Sequence, residues 1–244
     1  LTINTDGSVQ SSLIDITNGN MNADNETLQF VEQLKEEVSG KGNFVIGHSD
    51  VDLRIYDSEG NRIVRKQETN IGDFCADALR SFTDADIAMV NGGGIRTNIK
   101  RGEILFNDLY NVMPFGDMIA TGTFYGEQLL DVLEFAVSAL PTEAGTFMQV
   151  SGLRFTVDPD IPSPVMKDTE TGMFSYVGEG ERRVSHVEIL DKQSGEYKAV
   201  ELSRQYTIAT LDYLILEQGG SGILSCVKPD SIYWGADIEV LRHY

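Results

Sequence analysis

Periodic and alternating hydrophobic residues divide the chain into short strands and a few helices. The apolar run from Ile87 to Val90 predicts a buried strand, because it is short and ends at a cluster of glycines. Apolar residues recur with helical spacing from Ile71 to Phe82, which predicts an amphipathic helix capped by Asn70. The run from Phe147 to Val157 predicts one strand, with a bulge at Ser151-Gly152.

The pattern also suggests how the chain is organised. Residues 1–23 are polar and predict an irregular segment, the end of a preceding domain. Residues 24–42 predict a linker helix, with Phe30 and Leu34 on one side and a stop at the glycines that follow. Residues 43–244 predict a single domain. Its mixture of strands and helices indicates an α+β fold, in which helices cover layered sheets.

Three glycines directly follow the strand, in Val90-Asn91-Gly92-Gly93-Gly94-Ile95-Arg96. Glycine allows a positive φ and lets another group approach closely. Bare backbone N–H groups beside Arg96 would suit an anion such as phosphate. A tight turn with a solvated Arg96 is an equal alternative. The run lacks the third glycine of a dinucleotide fingerprint and the Gly-Lys-Ser/Thr of a Walker loop.

Composition narrows the classes of function. The chain has 38 acidic and 19 basic residues and a formal charge of −19, which argues against binding a nucleic-acid polymer or an anionic membrane. Two cysteines make neither a zinc motif nor a disulfide framework. No apolar run is long enough to span a membrane. Because the chain begins without Met or a signal peptide, we expect a mature form or a piece of a longer protein.

Two further loops display aromatic residues. Pro114 and Gly116 flank Phe115, which is either a buried turn residue or a ring held out for stacking. Tyr213 precedes a second glycine-rich loop, Gly219-Gly220-Ser221-Gly222.

Taken together, these motifs resemble the C-terminal domain of the 5′-nucleotidase family, which includes UDP-sugar hydrolases and ecto-5′-nucleotidases. Each motif alone is weak, but five of them occur in the family's order over about residues 44–240. The resemblance implies the family's layered α/β/β/α sandwich. The motifs are Glu68-Thr69-Asn70-Ile71-Gly72-Asp73-Phe74, Asn91 to Arg96, Met113-Pro114-Phe115-Gly116, Gln149-Val150-Ser151-Gly152-Leu153-Arg154-Phe155 and Gly219-Gly220-Ser221-Gly222.

The resemblance implies a substrate-binding role for six residues. Arg65 and Arg96 correspond to arginines that contact the substrate, and Asn91 to the residue that hydrogen-bonds the base. Phe115 and Tyr213 correspond to the aromatic pair that sandwiches the base, an interaction that tolerates different bases. The chain departs from the family at Ser221, where a ribose-binding Asp is usual, and in the segment 213–219, which is about two residues longer.

The resemblance also implies what this chain lacks. Family members hold two divalent metal ions in an N-terminal metallophosphoesterase domain, whose D-x-H, G-N-H-[DE] and G-H-x-H motifs do not occur here. We therefore expect no catalytic residue and no metal ligand in this chain, which alone would be inactive. We expect residues 1–23 to be the end of that missing domain. In the full-length protein, the missing domain would be a partner of this one in cis.

The expected function is nucleotide or nucleoside binding within a secreted, metal-dependent 5′-nucleotidase-type phosphoesterase. In the full-length protein this enzyme would hydrolyse nucleotides to nucleoside and phosphate outside the cytoplasm, whether in the periplasm, in the medium or at the cell surface. The alternative is a non-catalytic surface module that binds nucleotides. A weaker third possibility is an adhesive domain that retains only the fold.

Overall fold

A computed structural model describes residues 2–3, 5–10, 24–39, 42–216 and 221–244. The chain divides into two compact units, residues 1–43 and residues 44–244. The remaining residues, including most of the predicted irregular segment and Gly219-Gly220 of the second glycine-rich loop, lie outside the described part.

The first unit contains a small hairpin and a helix. Strand β1 (Thr2–Ile3) pairs antiparallel with β2 (Val9–Gln10). Helix α1 (Asn25–Ser39) starts where the carboxylate of Asp24 accepts a hydrogen bond from the backbone N of Thr27 at 2.8 Å. Its apolar side chains up to Leu34 are exposed, with Phe30 at 60%.

The second unit is built on a five-stranded mixed sheet that carries the buried core. The strand order is β14-β6-β13-β4-β7; β13 runs parallel to β4, and the other neighbours are antiparallel. Residues 87–90 are fully buried, as expected for a central strand. The strands are β4 (Ile87–Asn91), β6 (Met118–Tyr125), β7 (Met148–Ser151), β13 (Gln205–Leu211) and β14 (Lys228–Ala236).

Smaller sheets complete the strand content of this unit. A three-stranded antiparallel sheet has the order β12-β11-β8, and two strand pairs are β3-β5 and β9-β10. The pair β9-β10 lies within the surface insertion between β8 and β11. These strands are β3 (Val45–Ser49), β5 (Gly102–Leu105), β8 (Leu153–Val157), β9 (Val165–Lys167), β10 (Phe174–Val177), β11 (Val184–Leu190) and β12 (Tyr197–Ala199).

Helices pack on the sheets and give the predicted α+β, α/β/β/α type of fold. Helix α2 packs against β4, β7, β13 and α6, while α4 packs against β6, β10 and β11. The short α3 packs against β5 and α6, and α5 packs against β6 and β13. The helices are α2 (Asn70–Thr83), α3 (Phe106–Val112), α4 (Gly126–Ala136), α5 (Asp212–Ile215) and α6 (Asp237–His243).

Two local expectations were wrong. The N-cap of α2 is Thr69 and not Asn70, because the Thr69 hydroxyl accepts from Gly72 N while the Asn70 side chain bonds to the backbone of Asp52 and Arg54. At Ser151-Gly152, where a bulge was expected, the chain passes from one sheet to another. Gly152 has φ +74°, a conformation that favours glycine, and it separates β7 of the five-stranded sheet from β8 of the three-stranded sheet.

Candidate functional site

The glycine run after β4 is needed for close backbone packing. A Cβ atom on Gly92 would lie 2.2 Å from the carbonyl oxygen of Val64, and one on Gly93 would lie 2.9 Å from that of Gly145. The backbone N–H groups are already used. Gly92 N donates to Phe147 O, Gly93 N to Gly145 O and Gly94 N to Asn91 O. The expectation of bare N–H groups that hold an anion was therefore wrong, since backbone carbonyls occupy them.

A cavity of about 470 Å³ opens beside this run and brings together four of the six predicted residues. Asn91 lies at the end of β4, Phe115 in the loop before β6, and Tyr213 in α5, while Ser221 follows the undescribed part of its loop. The cavity lining is Asn91, Gly93, Gly94, Phe115, Asp117, Ala144, Gly145, Thr146, Met148, Tyr213, Leu214 and Ser221.

The two aromatic residues are held by connected loops. Phe115 is 62% exposed, a high value for a phenylalanine, and the loop after it turns at Gly116 with φ +70°. The carboxylate of Asp212 accepts from the backbone N of Met118 at 3.0 Å and from that of Tyr213 at 2.8 Å. The start of β6, just after Phe115, is therefore tied to the helix that carries Tyr213.

Asn91 presents an unused acceptor at the cavity. Its Nδ2 donates to Gly145 O at a long 3.4 Å, while Oδ1 is buried and has no partner within the described residues. Buried oxygens of this kind normally have a hydrogen-bond donor, from protein, water or ligand. Ser221 is also buried at the cavity, with 6% of its surface exposed.

Arg65 and Arg96 lie next to the cavity and do not line it. The Arg96 guanidinium stands 5.9 Å from the centroid of the Phe115 ring and donates to Gly93 O at 2.9 Å. Nε of Arg65 is buried without a partner in the described part of the chain. Burial, together with the positive charges of Arg62 and Arg96, lowers the pKa of Arg65. The backbone of Arg65 packs beside Gly92, and Arg96 donates to the neighbouring Gly93, so both lie at the glycine run. Arg62, Arg65 and Arg96 are here called the arginine cluster.

Two residues that contribute to the site gave little signal in the sequence. Glu143 forms a two-pronged ion pair with Arg62. Gln149 is 1% exposed and joins β7 to the segment that carries Arg65. The sequence does hold a clue to Gln149, because it is a polar residue between the apolar Met148 and Val150 of a predicted strand.

A larger groove of about 800 Å³ is lined by Lys66, Asp73, Phe155 and Tyr197 among others. None of the six predicted residues lines it, so its size does not make it the candidate site. Within the residues that the structure describes, no group of three or more His, Cys, Asp and Glu side chains is arranged to hold a metal ion. The described helices are too short or too polar to cross a membrane.

The layered fold, with its glycine run beside an aromatic-lined cavity, is of the type found in the C-terminal domains of nucleotidases. The family model described as "5'-nucleotidase, C-terminal domain" matches residues 45–228. The chain therefore belongs to the 5′-nucleotidase C-terminal domain family.

Individual relatives agree with this assignment. A trifunctional nucleotide phosphoesterase protein of Bacillus subtilis is 31% identical over 81% of this chain, and a 5′-nucleotidase of Vibrio parahaemolyticus is 31% identical over 65%. The crystal structure of a 5′-nucleotidase precursor from Thermus thermophilus is 27% identical, with a TM-score of 0.71 over 90% of this chain. The chain spans only 12%, 27% and 39% of these three proteins, respectively.

Proposed function

We propose that the cavity binds the nucleoside part of a nucleotide, and that Arg65 and Arg96 of the arginine cluster bind its phosphate. The observation that carries this proposal is the meeting of Phe115, Tyr213 and the unpartnered Asn91 oxygen in one cavity, with arginines at its edge. The cavity volume falls within the range of small-molecule sites, about 300–1,000 Å³.

The exposed aromatic rings supply a surface for stacking. A flat ligand that covers an exposed phenylalanine ring removes apolar surface from water, which favours binding. Stacking a base on an aromatic ring contributes about 1–3 kcal/mol to the free energy of binding. The neighbouring Pro114 restricts the loop, so the Phe115 ring is partly preorganised.

The polar groups set complementary requirements. The Asn91 oxygen needs a donor, which an amino or imino group on a base edge provides. The unpartnered Nε of Arg65 and the exposed guanidinium of Arg96 need acceptors, which a phosphate provides. Ser221, which is buried at the cavity, is a neutral residue where the resemblance implies a ribose-binding Asp, so we infer a weaker ribose contact.

In the full-length protein, this domain would deliver substrate to a metallophosphoesterase domain that binds two divalent metal ions. The relatives named above, which are several times longer than the matched segment, support this extension. We further propose that the enzyme acts outside the cytoplasm, which cell fractionation would test. The alternative, a non-catalytic nucleotide-binding module, requires that the full-length protein bind nucleotides without releasing phosphate in the presence of Mn²⁺ or Mg²⁺.

Calorimetric titration of the chain with adenosine, uridine and AMP tests the binding site. We expect saturable binding, and we expect Phe115→Ala to weaken adenosine binding by roughly 5- to 100-fold, the equivalent of losing about 1–3 kcal/mol of stacking. Tyr176→Ala is a matched control, because Tyr176 is 57% exposed on β10 and does not line the cavity. Equal losses in the two variants, or no nucleoside binding by a folded wild type, would refute the proposal.

A further inference from the structure

A carboxylate is paired with one member of the arginine cluster. Oε1 and Oε2 of Glu143 accept hydrogen bonds from Nη2 and Nε of Arg62 at 2.5 and 2.8 Å. The two residues are 81 positions apart, and about a third of each side chain is exposed. The two-pronged geometry fixes both groups. The hydrogen bond from Arg62, together with the positive charges of Arg62, Arg65 and Lys66, lowers the pKa of Glu143, so it is ionised at neutral pH.

Glu143 belongs to the loop that forms one wall of the cavity. The next three residues, Ala144, Gly145 and Thr146, all line the cavity. Ala144 N donates to Arg65 O at 3.0 Å, and Gly145 O accepts from Gly93 N at 3.0 Å. The carboxylate therefore lies beside both the arginine cluster and the nucleoside cavity, and the loop backbone has anchors that do not depend on it.

We propose that Glu143 sets the substrate charge that this site accepts. This inference rests on the proposed function. Glu143 neutralises Arg62 and leaves Arg65 and Arg96 for the ligand, so three guanidinium groups and one carboxylate give the site a net charge of +2. Compared with a site of three unpaired arginines, such a site gains less affinity from each added phosphate charge, so Glu143 weakens the preference for ligands with longer phosphate chains. In this role Glu143 determines specificity without touching the substrate.

The size of the effect follows from Coulomb's law. For a carboxylate about 8 Å from the phosphate, which is one Debye length at physiological salt, removing the negative charge strengthens binding by a factor of roughly two to six per ligand charge in a mostly aqueous site. We therefore expect Glu143→Gln to bind AMP about tenfold more tightly and ADP more tightly still. Affinity for adenosine, which is neutral, stays within about twofold because the loop anchors are retained.

A charge cycle separates this role from a direct contact between Arg62 and phosphate. Arg62→Gln lowers the net charge to +1 and weakens AMP binding by a similar factor. The double variant Arg62→Gln/Glu143→Gln restores the net charge to +2 and regains wild-type affinity for AMP. A double variant as weak as Arg62→Gln would mean that Arg62 itself holds the phosphate, and this would overturn the proposal. If Glu143→Gln does not fold, Arg62→Gln and the double variant still give this test.

The matched control is Glu188→Gln. Glu188 also pairs with an arginine, Arg154, at 2.6 Å, but it lies on β11 and lines no part of the cavity. The Glu188→Gln substitution removes the same unit charge from the chain and should leave the ratio of AMP to adenosine affinity unchanged. A change in this ratio equal to that of Glu143→Gln would show a nonspecific effect of net charge and refute the local role.

Titration with inorganic pyrophosphate distinguishes failure of this proposal from failure of the proposed function. If adenosine does not bind but Glu143→Gln tightens pyrophosphate binding, nucleoside recognition is wrong and charge selection stands. If adenosine binds and neither AMP nor pyrophosphate responds to Glu143→Gln, charge selection is wrong and nucleoside recognition stands. If neither adenosine nor pyrophosphate binds the folded chain, both proposals fail.

Discussion

Replacing Gln149 by leucine would test how the segment that carries Arg65 is held in place. The buried amide of Gln149 donates from Nε2 to Val64 O at 2.9 Å and to Gln67 O at 2.8 Å. Its Oε1 accepts from Thr69 N at 3.0 Å and from Thr69 Oγ1 at 3.3 Å. One side chain of β7 thus connects the backbone before α2 to the five-stranded sheet.

Gln149→Leu keeps a similar volume but removes all four hydrogen bonds. At about 1 kcal/mol for each bond, the four bonds amount to about 4 kcal/mol in the free energy of unfolding, and buried backbone groups left unpaired add to this loss. For a domain of this size, such a loss lowers the melting temperature by about 10 °C. This is a large part of the stability of an ordinary domain.

Urea unfolding followed by circular dichroism measures this loss, and a thermal melt provides a second reading. Gln193→Leu, at an exposed turn position, is the matched control and should change stability by less than about 0.5 kcal/mol. A loss below about 1 kcal/mol for Gln149→Leu would refute the reasoning, because it would mean that the segment 64–69 is held by other contacts.

Two further changes probe other parts of the domain. Gly92→Ala places a Cβ atom 2.2 Å from Val64 O, so we expect a loss of about 3 kcal/mol in a thermal melt; Gly47→Ala, with open space around it, should lose far less. Asp237 is 1% exposed, and burial raises its pKa to about 6 from an unfolded value of 3.8, so its contribution to stability is lost as the pH rises through 6. Asp237→Asn should therefore be more stable than wild type by roughly 2 kcal/mol at pH 7.5 and nearly equal to it at pH 4, as judged by urea unfolding at both pH values; a variant less stable at pH 7.5 would contradict this.

The sequence predicted elements whose signal is local. The run 87–90 is apolar at every position, and it forms β4, which lies between β13 and β7 in the five-stranded sheet. The spacing of apolar residues in α2 predicted its buried face, although Thr69, and not Asn70, is the cap. Both residues are good caps. The Asn70 side chain instead hydrogen-bonds to the backbone of Asp52, which is distant in sequence, so Thr69 is the cap.

Features that depend on distant partners were harder to predict. The N–H groups of the glycine run looked free because the carbonyls of Gly145 and Phe147, which occupy them, are more than fifty residues away in sequence. The pairing of Arg62 with Glu143 was not predicted, because the two residues are 81 positions apart in sequence. Motif order brought Asn91, Phe115, Tyr213 and Ser221 together as candidates, and these four residues do line one cavity. Their roles in binding remain predictions.

The pairing of β4 with β13 has a consequence for how the domain folds. The hydroxyl of Thr210 on β13 donates to Met89 O on β4, across 121 residues of sequence. Closing so long a loop delays native contacts and slows folding. During synthesis, the centre of the sheet must therefore wait for the emergence of β13, so the cavity beside β4 is completed late, after most of the chain has left the ribosome.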